Sequence, residues 1–318
     1  LNLVYSGATV GWTPSSDIIN ALDHDPPPTQ RGIIGYGELA DGSTKTSITN
    51  LVNSSGVIAA DVTGVGTARL WLKAASYGGD KAIFGYGHTS SVQSMTNLVS
   101  NSGVVAADVT GVGTARRALG AAGYGTDKAI FGYGFTSSLV SMTNLVNNSG
   151  VVAADVSGVG TSRDKLAASG YGGDKAIFGY GYTGSRVSIT NLVSNLGVVS
   201  SDVTGVGTAR FELSAAAYGT DKAIFAYGNT SSTDYGSMKN LVSNTGVVAA
   251  DVTGVGTGRS RLAATNYGGD KAIFFGGNSG SITGISNLVN NSGVVAADVS
   301  AVGTARQNPA AAGYSLSA

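Results

Sequence analysis

The residues that most invite a chemical reading are glycines gathered beside a lysine. The stretch "YGGDKAIFGYG" at Tyr171 has the composition of a loop whose backbone amides cradle phosphate. Close copies return at Tyr77, Tyr124, Tyr218 and Tyr267, with a shortened one, "RGIIGYG", at Arg31. One chain has no use for so many phosphate loops. Each lysine of the close copies also follows aspartate, where a phosphate loop requires Gly-Lys-Ser/Thr. The glycines therefore read as turns.

A second recurring group, "GVGTAR" or a near variant, ends at Arg69, Arg116, Arg163, Arg210, Arg259 and Arg306. Six arginines could ring an axis and hold an anion. The plainer reading is that each uses its five donors to satisfy carbonyls within and between repeats. Recurrence in every copy favours this structural role. The asparagines of "TNLV" and its variants (Asn50, Asn97, Asn144, Asn191, Asn240, Asn287) are expected to bond to turn backbone, and the tyrosines of "YG" to pack between units.

Catalytic chemistry has few residues to draw on. Cysteine is absent and His24 and His88 are the only histidines, which excludes thiolate chemistry, a multi-histidine metal site and a His-based triad in the repeats. His24 sits between Asp23 and Asp25, but adjacent side chains rarely converge on one ion, so no metal or other cofactor is expected. A paired-carboxylate glycosidase would have to draw on Glu38, Glu212 or Asp234. It is the least favoured reading; the expectation is a protein that is not an enzyme.

Composition narrows the class further. Lys plus Arg and Asp plus Glu number 19 each among 318 residues, so neither nucleic acid nor an anionic membrane is an expected partner. No apolar run has the length to cross a bilayer. Hydrophobic residues at 42% can build a core, while 49 glycines and only 12% charge suit many short strands joined by tight turns. The chain begins at Leu1, which leaves a removed leader open. Sequons at Asn53, Asn147, Asn229 and Asn290 matter only where asparagine is glycosylated.

What must position these residues is the repeat itself. Asp80, Asp127, Asp174, Asp221 and Asp270 lie 47, 47, 47 and 49 residues apart, a period that calls for one supersecondary unit per repeat. Breakers leave four short segments per unit, such as 119–125, 128–134, 141–148 and 150–156, and three of these are rich in strand formers. The alanine-rich first segment could support a helical turn. It is assigned as a strand, because small side chains suit the crowded inner strand of a radial array. The expected fold is all-β: a six-bladed β-propeller of four-stranded blades. The N-terminal unit lacks its first segment and the C-terminus carries a spare one, 309–315. Pairing the spare with the blade that starts at 32 would close the ring.

The order "GTAR…LAA..YG.DKAIFGYG", with the glycine pair in "AIFFGG" at 272–277, resembles kelch-type propeller repeats over residues 31–318. The chain departs from them in having Gly-Tyr-Gly in most copies and no tryptophan before the fourth segment. Near-identical "DKAIFGYG…NLV…GVVAADVTGVGTAR" units are also similar to repeats in structural proteins of marine tailed phages. That resemblance implies a virion location: a non-enzymatic tail, fibre or capsid-surface component serving structure or adhesion. The alternative is a secreted or cell-surface propeller that binds glycan or protein and forms filaments.

Function is expected where the copies differ. Two windows diverge, one after the second strand and one after the repeated arginine, and in an up-and-down blade both open on the same face. Trp71, Lys73, His88, Arg117, Phe135, Tyr182, Arg186, Phe211, Asp234 and Tyr235 are the candidates for that variegated face, with drift on tolerant loops as the competing explanation. Residues 1–30 do not repeat, and "PPP" at 26–28 reads as a stiff spacer. They are expected to form an arm that docks to other structural proteins of a homo- or hetero-oligomeric assembly, or that packs on its own propeller. The displayed face would meet a host-surface glycan or protein.

Overall fold

Strand-forming residues between glycine turns give an architecture of strands alone. The computed structural model describes residues 3–5, 12–14, 31–231 and 234–315. These hold no helix, and so none long and apolar enough to cross a membrane. Leu3–Tyr5 pairs antiparallel with Trp12–Pro14. The remainder of the proposed arm, including His24 and the proline run, lies outside the described residues.

Six antiparallel sheets follow, each three strands wide, and none closes on itself. Sheet two is Lys73–Tyr77, Lys81–His88 and Val92–Val99. Sheet three is Gly120–Tyr124, Lys128–Phe135 and Leu139–Val146. Sheet four is Ala167–Tyr171, Lys175–Tyr182 and Arg186–Val193. Sheet five is Ser214–Tyr218, Lys222–Ala226 and Lys239–Val242, and sheet six is Ala263–Tyr267, Lys271–Asn278 and Ile282–Val289. Sheet one combines Arg31–Leu39 and Lys45–Val52 with chain from the far end, since Ala310–Tyr314 pairs with Gly35–Arg31. Residues Arg306–Gln307 pair with Leu39–Glu38 on the same edge. The alanine-rich segments are strands after all, because packing outweighs alanine's helical preference.

The first strands pack side by side in chain order from sheet two to sheet six. Ala310–Tyr314 packs against both the sheet-six and the sheet-two first strand. A second set of contacts runs in the same order. Thr67 donates its hydroxyl to Asp108 at 2.6 Å, and the pattern repeats at Thr114–Asp155, Thr161–Asp202, Thr208–Asp251 and Thr257–Asp298. Burial pushes the Asp108 carboxyl up, but bonds from Thr67 and Asn97 outweigh it and hold the group below its usual range.

The expected fourth strand is a correction. In place of a continuous strand, each outer segment makes two isolated bridges, such as Val146–Val152 and Thr143–Val156. Between them a side chain supplies hydrogen bonds to the segment. Asn144 Nδ2 donates to Ala153 O at 3.0 Å and to Asp155 Oδ1 at 2.9 Å. The amide thus replaces ladder bonds that a flat edge would make. Valines stay exposed along this rim, Val104 and Val151 by 65% and 61%.

The repeated arginines hold each unit to the next. Arg163 is fully buried and donates from Nε to Tyr180 O at 2.9 Å, from Nη1 to Thr161 O at 3.0 Å and from Nη2 to Asn191 Oδ1 at 2.7 Å. Its guanidinium lies 4.2 Å from the ring centre of Tyr133, a residue of the preceding sheet. The Asp-Lys pairs of the glycine-rich stretch face one another, Lys175 Nζ lying 2.8 Å from Asp174 Oδ1. Gly125 N in the neighbouring unit donates to Asp174 O. These residues serve turns, and the "YG" tyrosines are buried between sheets.

The Gly-Tyr-Gly bulge is equally constrained. A side chain at Gly85 would meet the Phe131 ring at 2.6 Å, and Tyr86 takes φ of 63° with its ring edge-on to Phe131. The junction between sheets six and one uses other residues for the same volume. There Ile34 stands where other units have phenylalanine, Gly276 where they have tyrosine, and Phe275 where they have glycine or alanine. Ile34 and Phe275 are buried together in one core cluster.

Candidate functional site

The two divergent windows meet through backbone pairing. The residue after each repeated arginine bridges the end of a second strand: Leu70 to His88, Arg117 to Phe135, Asp164 to Tyr182, Phe211 to Asn229 and Ser260 to Asn278. Gln307 and Glu38 make the sixth such pair. One residue further on, every unit turns left-handed. Trp71, Ala118, Lys165, Glu212, Arg261 and Asn308 have φ between 53° and 59°, although a non-glycine residue in that region is uncommon.

These six are linked to one another. Ala118 N donates to Trp71 O, Lys165 N to Ala118 O, Glu212 N to Lys165 O, Arg261 N to Glu212 O and Asn308 N to Arg261 O, at 2.7 to 2.9 Å. A uniform backbone frame thus carries six different side chains. Behind it five units repeat a buried leucine, at Leu72, Leu119, Leu166, Leu213 and Leu262, and the sixth has Pro309. Trp71, Lys73, Lys165, Glu212, Arg261 and Asn308 line a small pocket of about 30 Å³ at this end. A larger cavity of about 260 Å³ is lined by the small residues of the first strands, among them Ala75, Ala122, Ser169 and Ala216.

Seven of the ten sequence candidates pack at this end in two groups, and Lys73 lines its small pocket. The Trp71 ring lies 5.9 Å from His88, and the Arg117 guanidinium sits 4.4 Å from Trp71 and 5.2 Å from Phe135. Burial, then the charges of Arg117 and Lys45, hold His88 below the usual histidine range. One sheet along, Tyr182 meets Phe211 edge-on at 5.4 Å, with Lys165 Nζ 4.9 Å and the Arg186 guanidinium 5.2 Å from the Phe211 ring. Arg186 also donates to Asn229 Oδ1 at 3.1 Å. Lys73 heads its strand, half-buried; burial pulls it down to about 8 against the opposing charge of Glu212. Asp234 and Tyr235 belong to the loop after sheet five's second strand, where Asp234 accepts the Thr230 hydroxyl at 2.7 Å and Tyr235 bridges Asn229, the residue that also pairs with Phe211.

Glu212 and Glu38, expected from the sequence only as carboxylates for a glycosidase, belong to a chain of contacts with Lys165, Arg261 and Gln307 that ties this end together. Glu212 is buried and accepts from Arg261 Nε at 3.0 Å, with Lys165 Nζ 3.8 Å from its other oxygen. Arg261 Nη1 continues to Gln307 Oε1 at 3.3 Å, and Gln307 Nε2 donates to Glu38 at 2.6 Å. Asp164 is buried as well. Burial, with Glu212 adding to it and Lys165 and Arg117 opposing, lifts its carboxyl to about 6. The signal was present: the second position after the repeated arginine differs in all six units.

Among the described residues no group of three His, Cys, Asp or Glu gathers as metal ligands would. Of the carboxylates considered for a glycosidase, Glu212 is held by two cations and Glu38 by Gln307, while Asp234 is exposed on its loop. The arrangement suits binding by charge and hydrogen bonding. Comparison with protein-family models and with curated proteins gives no match.

Proposed function

We propose that the protein is a non-catalytic display scaffold, a closed six-bladed propeller of kelch-like order that presents one variegated end to a partner. The observation that carries this is the left-handed frame at Trp71, Ala118, Lys165, Glu212, Arg261 and Asn308, identical in backbone and different in every side chain. Repeated residues are occupied in holding units together, so the non-repeating end is what remains to meet another molecule. Closure of the ring is supported by the pairing of Ala310–Tyr314 with Gly35–Arg31 and by its packing against first strands on both sides.

Within that reading the protein serves as a structural or adhesive component of a particle, as the resemblance to tailed-phage repeats implies, anchored through residues 1–30. The test is stoichiometric recovery with purified particles. Absence from them would remove the virion location and leave a secreted or cell-surface binder as the reading to follow. For that reading, binding on glycan or protein arrays should be lost on changing Tyr182 and Phe211 while the fold is kept.

A further inference from the structure

The pocket at the variegated end has a chemical bias. Its lining carries three cations, Lys73, Lys165 and Arg261, against one carboxylate, Glu212, a local balance of +2. Two further lining residues present buried donors without a partner, Trp71 Nε1 and Asn308 Nδ2. Asn308 is only 7% exposed, and leaving such a donor unpaired is costly unless something occupies the site. Glu212 Oε1 also lacks a hydrogen-bond partner, and its nearest cation is Lys165 at 3.8 Å. A volume of about 30 Å³ admits two oxygen-sized groups, since one water needs roughly 10–15 Å³. Tetrahedral oxyanions with four oxygens are too large.

We infer that this pocket is a binding site for a single carboxylate group, carried on a larger ligand and held by Trp71 Nε1, Asn308 Nδ2, Lys165 and Arg261, with Lys73 adding charge. The two oxygens of a carboxylate would give each unpaired donor an acceptor, and the cations supply the attraction. Glu212 positions Arg261 and works against the ligand by its charge. The inference rests on the variegated end being the working face, and it is independent of where the protein is used.

The test is titration of ¹⁵N-labelled protein, following the indole N–H of Trp71; Trp71→Phe separates its signal from that of Trp12. At constant ionic strength sodium acetate should shift the signal saturably, while sodium chloride and sodium phosphate should not. Glucuronate and an N-acetyl amino acid distinguish a sugar acid from a peptide carboxylate as the carrier, by which of them exceeds acetate. Lys165→Met, on a half-buried side chain, should weaken acetate binding roughly tenfold. Glu212→Gln keeps an acceptor for Arg261 and should tighten binding several-fold. Lack of a saturable shift with acetate, or weaker binding in Glu212→Gln, would overturn the site. Either result leaves the display reading intact, because that reading is judged by recovery with particles and array binding.

Discussion

Thr304 Oγ1 donates to Asp61 Oδ2 at 2.6 Å, across 243 residues of chain. The contact has the same geometry as Thr114–Asp155, which joins units adjacent in sequence. If both contacts join neighbouring blades, Thr304→Ala and Thr114→Ala should each cost about 1 kcal/mol in urea denaturation. A neutral Thr304→Ala beside a destabilising Thr114→Ala would argue for an open array. Burial raises Asp61, but bonds from Thr304 and Asn50 outweigh it and leave the carboxyl below its usual range. Its contribution is therefore present above the unfolded-state pKa and lost as pH falls through the folded one. The gap between wild type and Thr304→Ala should narrow in acid.

Arg163 offers a sharper test of the claim that the repeated arginines are structural. Three donors of its guanidinium are used and the group lies against Tyr133. Lysine cannot reproduce that fork. Arg163→Lys should lower stability by about 3 kcal/mol, since it strands buried acceptors. A variant of native stability would return the arginines to the list of binding candidates.

Asp164 should give a pH effect of opposite sign to Asp61. Its carboxyl is raised from 3.8 to about 6, so the stabilising protonated form is full below the unfolded value and is lost as pH rises through the folded one. Asp164→Asn should therefore stabilise the protein at pH 8 by about 2 kcal/mol and give no gain at pH 4. Thermal melts at the two pH values would check it.

The junction between sheets six and one makes a prediction about compensation. Phe275→Gly alone should open a cavity beside Ile34 and cost about 3 kcal/mol. Ile34→Phe alone should overpack against Phe275. Combining Ile34→Phe and Phe275→Gly with Gly276→Tyr recreates the set found at Tyr86 and Phe131, and should recover most of the loss. Strict additivity of the three costs would mean that these side chains do not share one space.

Much of the fold was legible because the sequence states it in every unit. The second and third strands carry their apolar pattern openly, and the small residues of the first strand fit between close neighbours. The fourth segment misled because "GVVAADV" has strand-like ends, whereas its centre is bonded by the amide of an asparagine nine residues earlier, as Ala153 is by Asn144. The candidate end was legible in part. Trp71, Arg117, Tyr182 and Phe211 stand out as unusual residues in a monotonous chain. Glu212 drew notice only as a carboxylate, and Arg261 and Asn308 did not, because their relation exists only once units 47 or more residues apart are side by side.

A chain of near-copies has an ambiguity that a chain of unlike parts avoids, since every unit offers almost the same shoulder to every other. The Ile34–Phe275 fit is the exception. A bulky ring on one side answers a shortened side chain on the other, and neither suits the ordinary joint between units. If the sheets form the closed ring proposed above, such a mismatch would reject premature unions between interior units and reserve the last joint for the two ends of the polypeptide, so that shape would count the units.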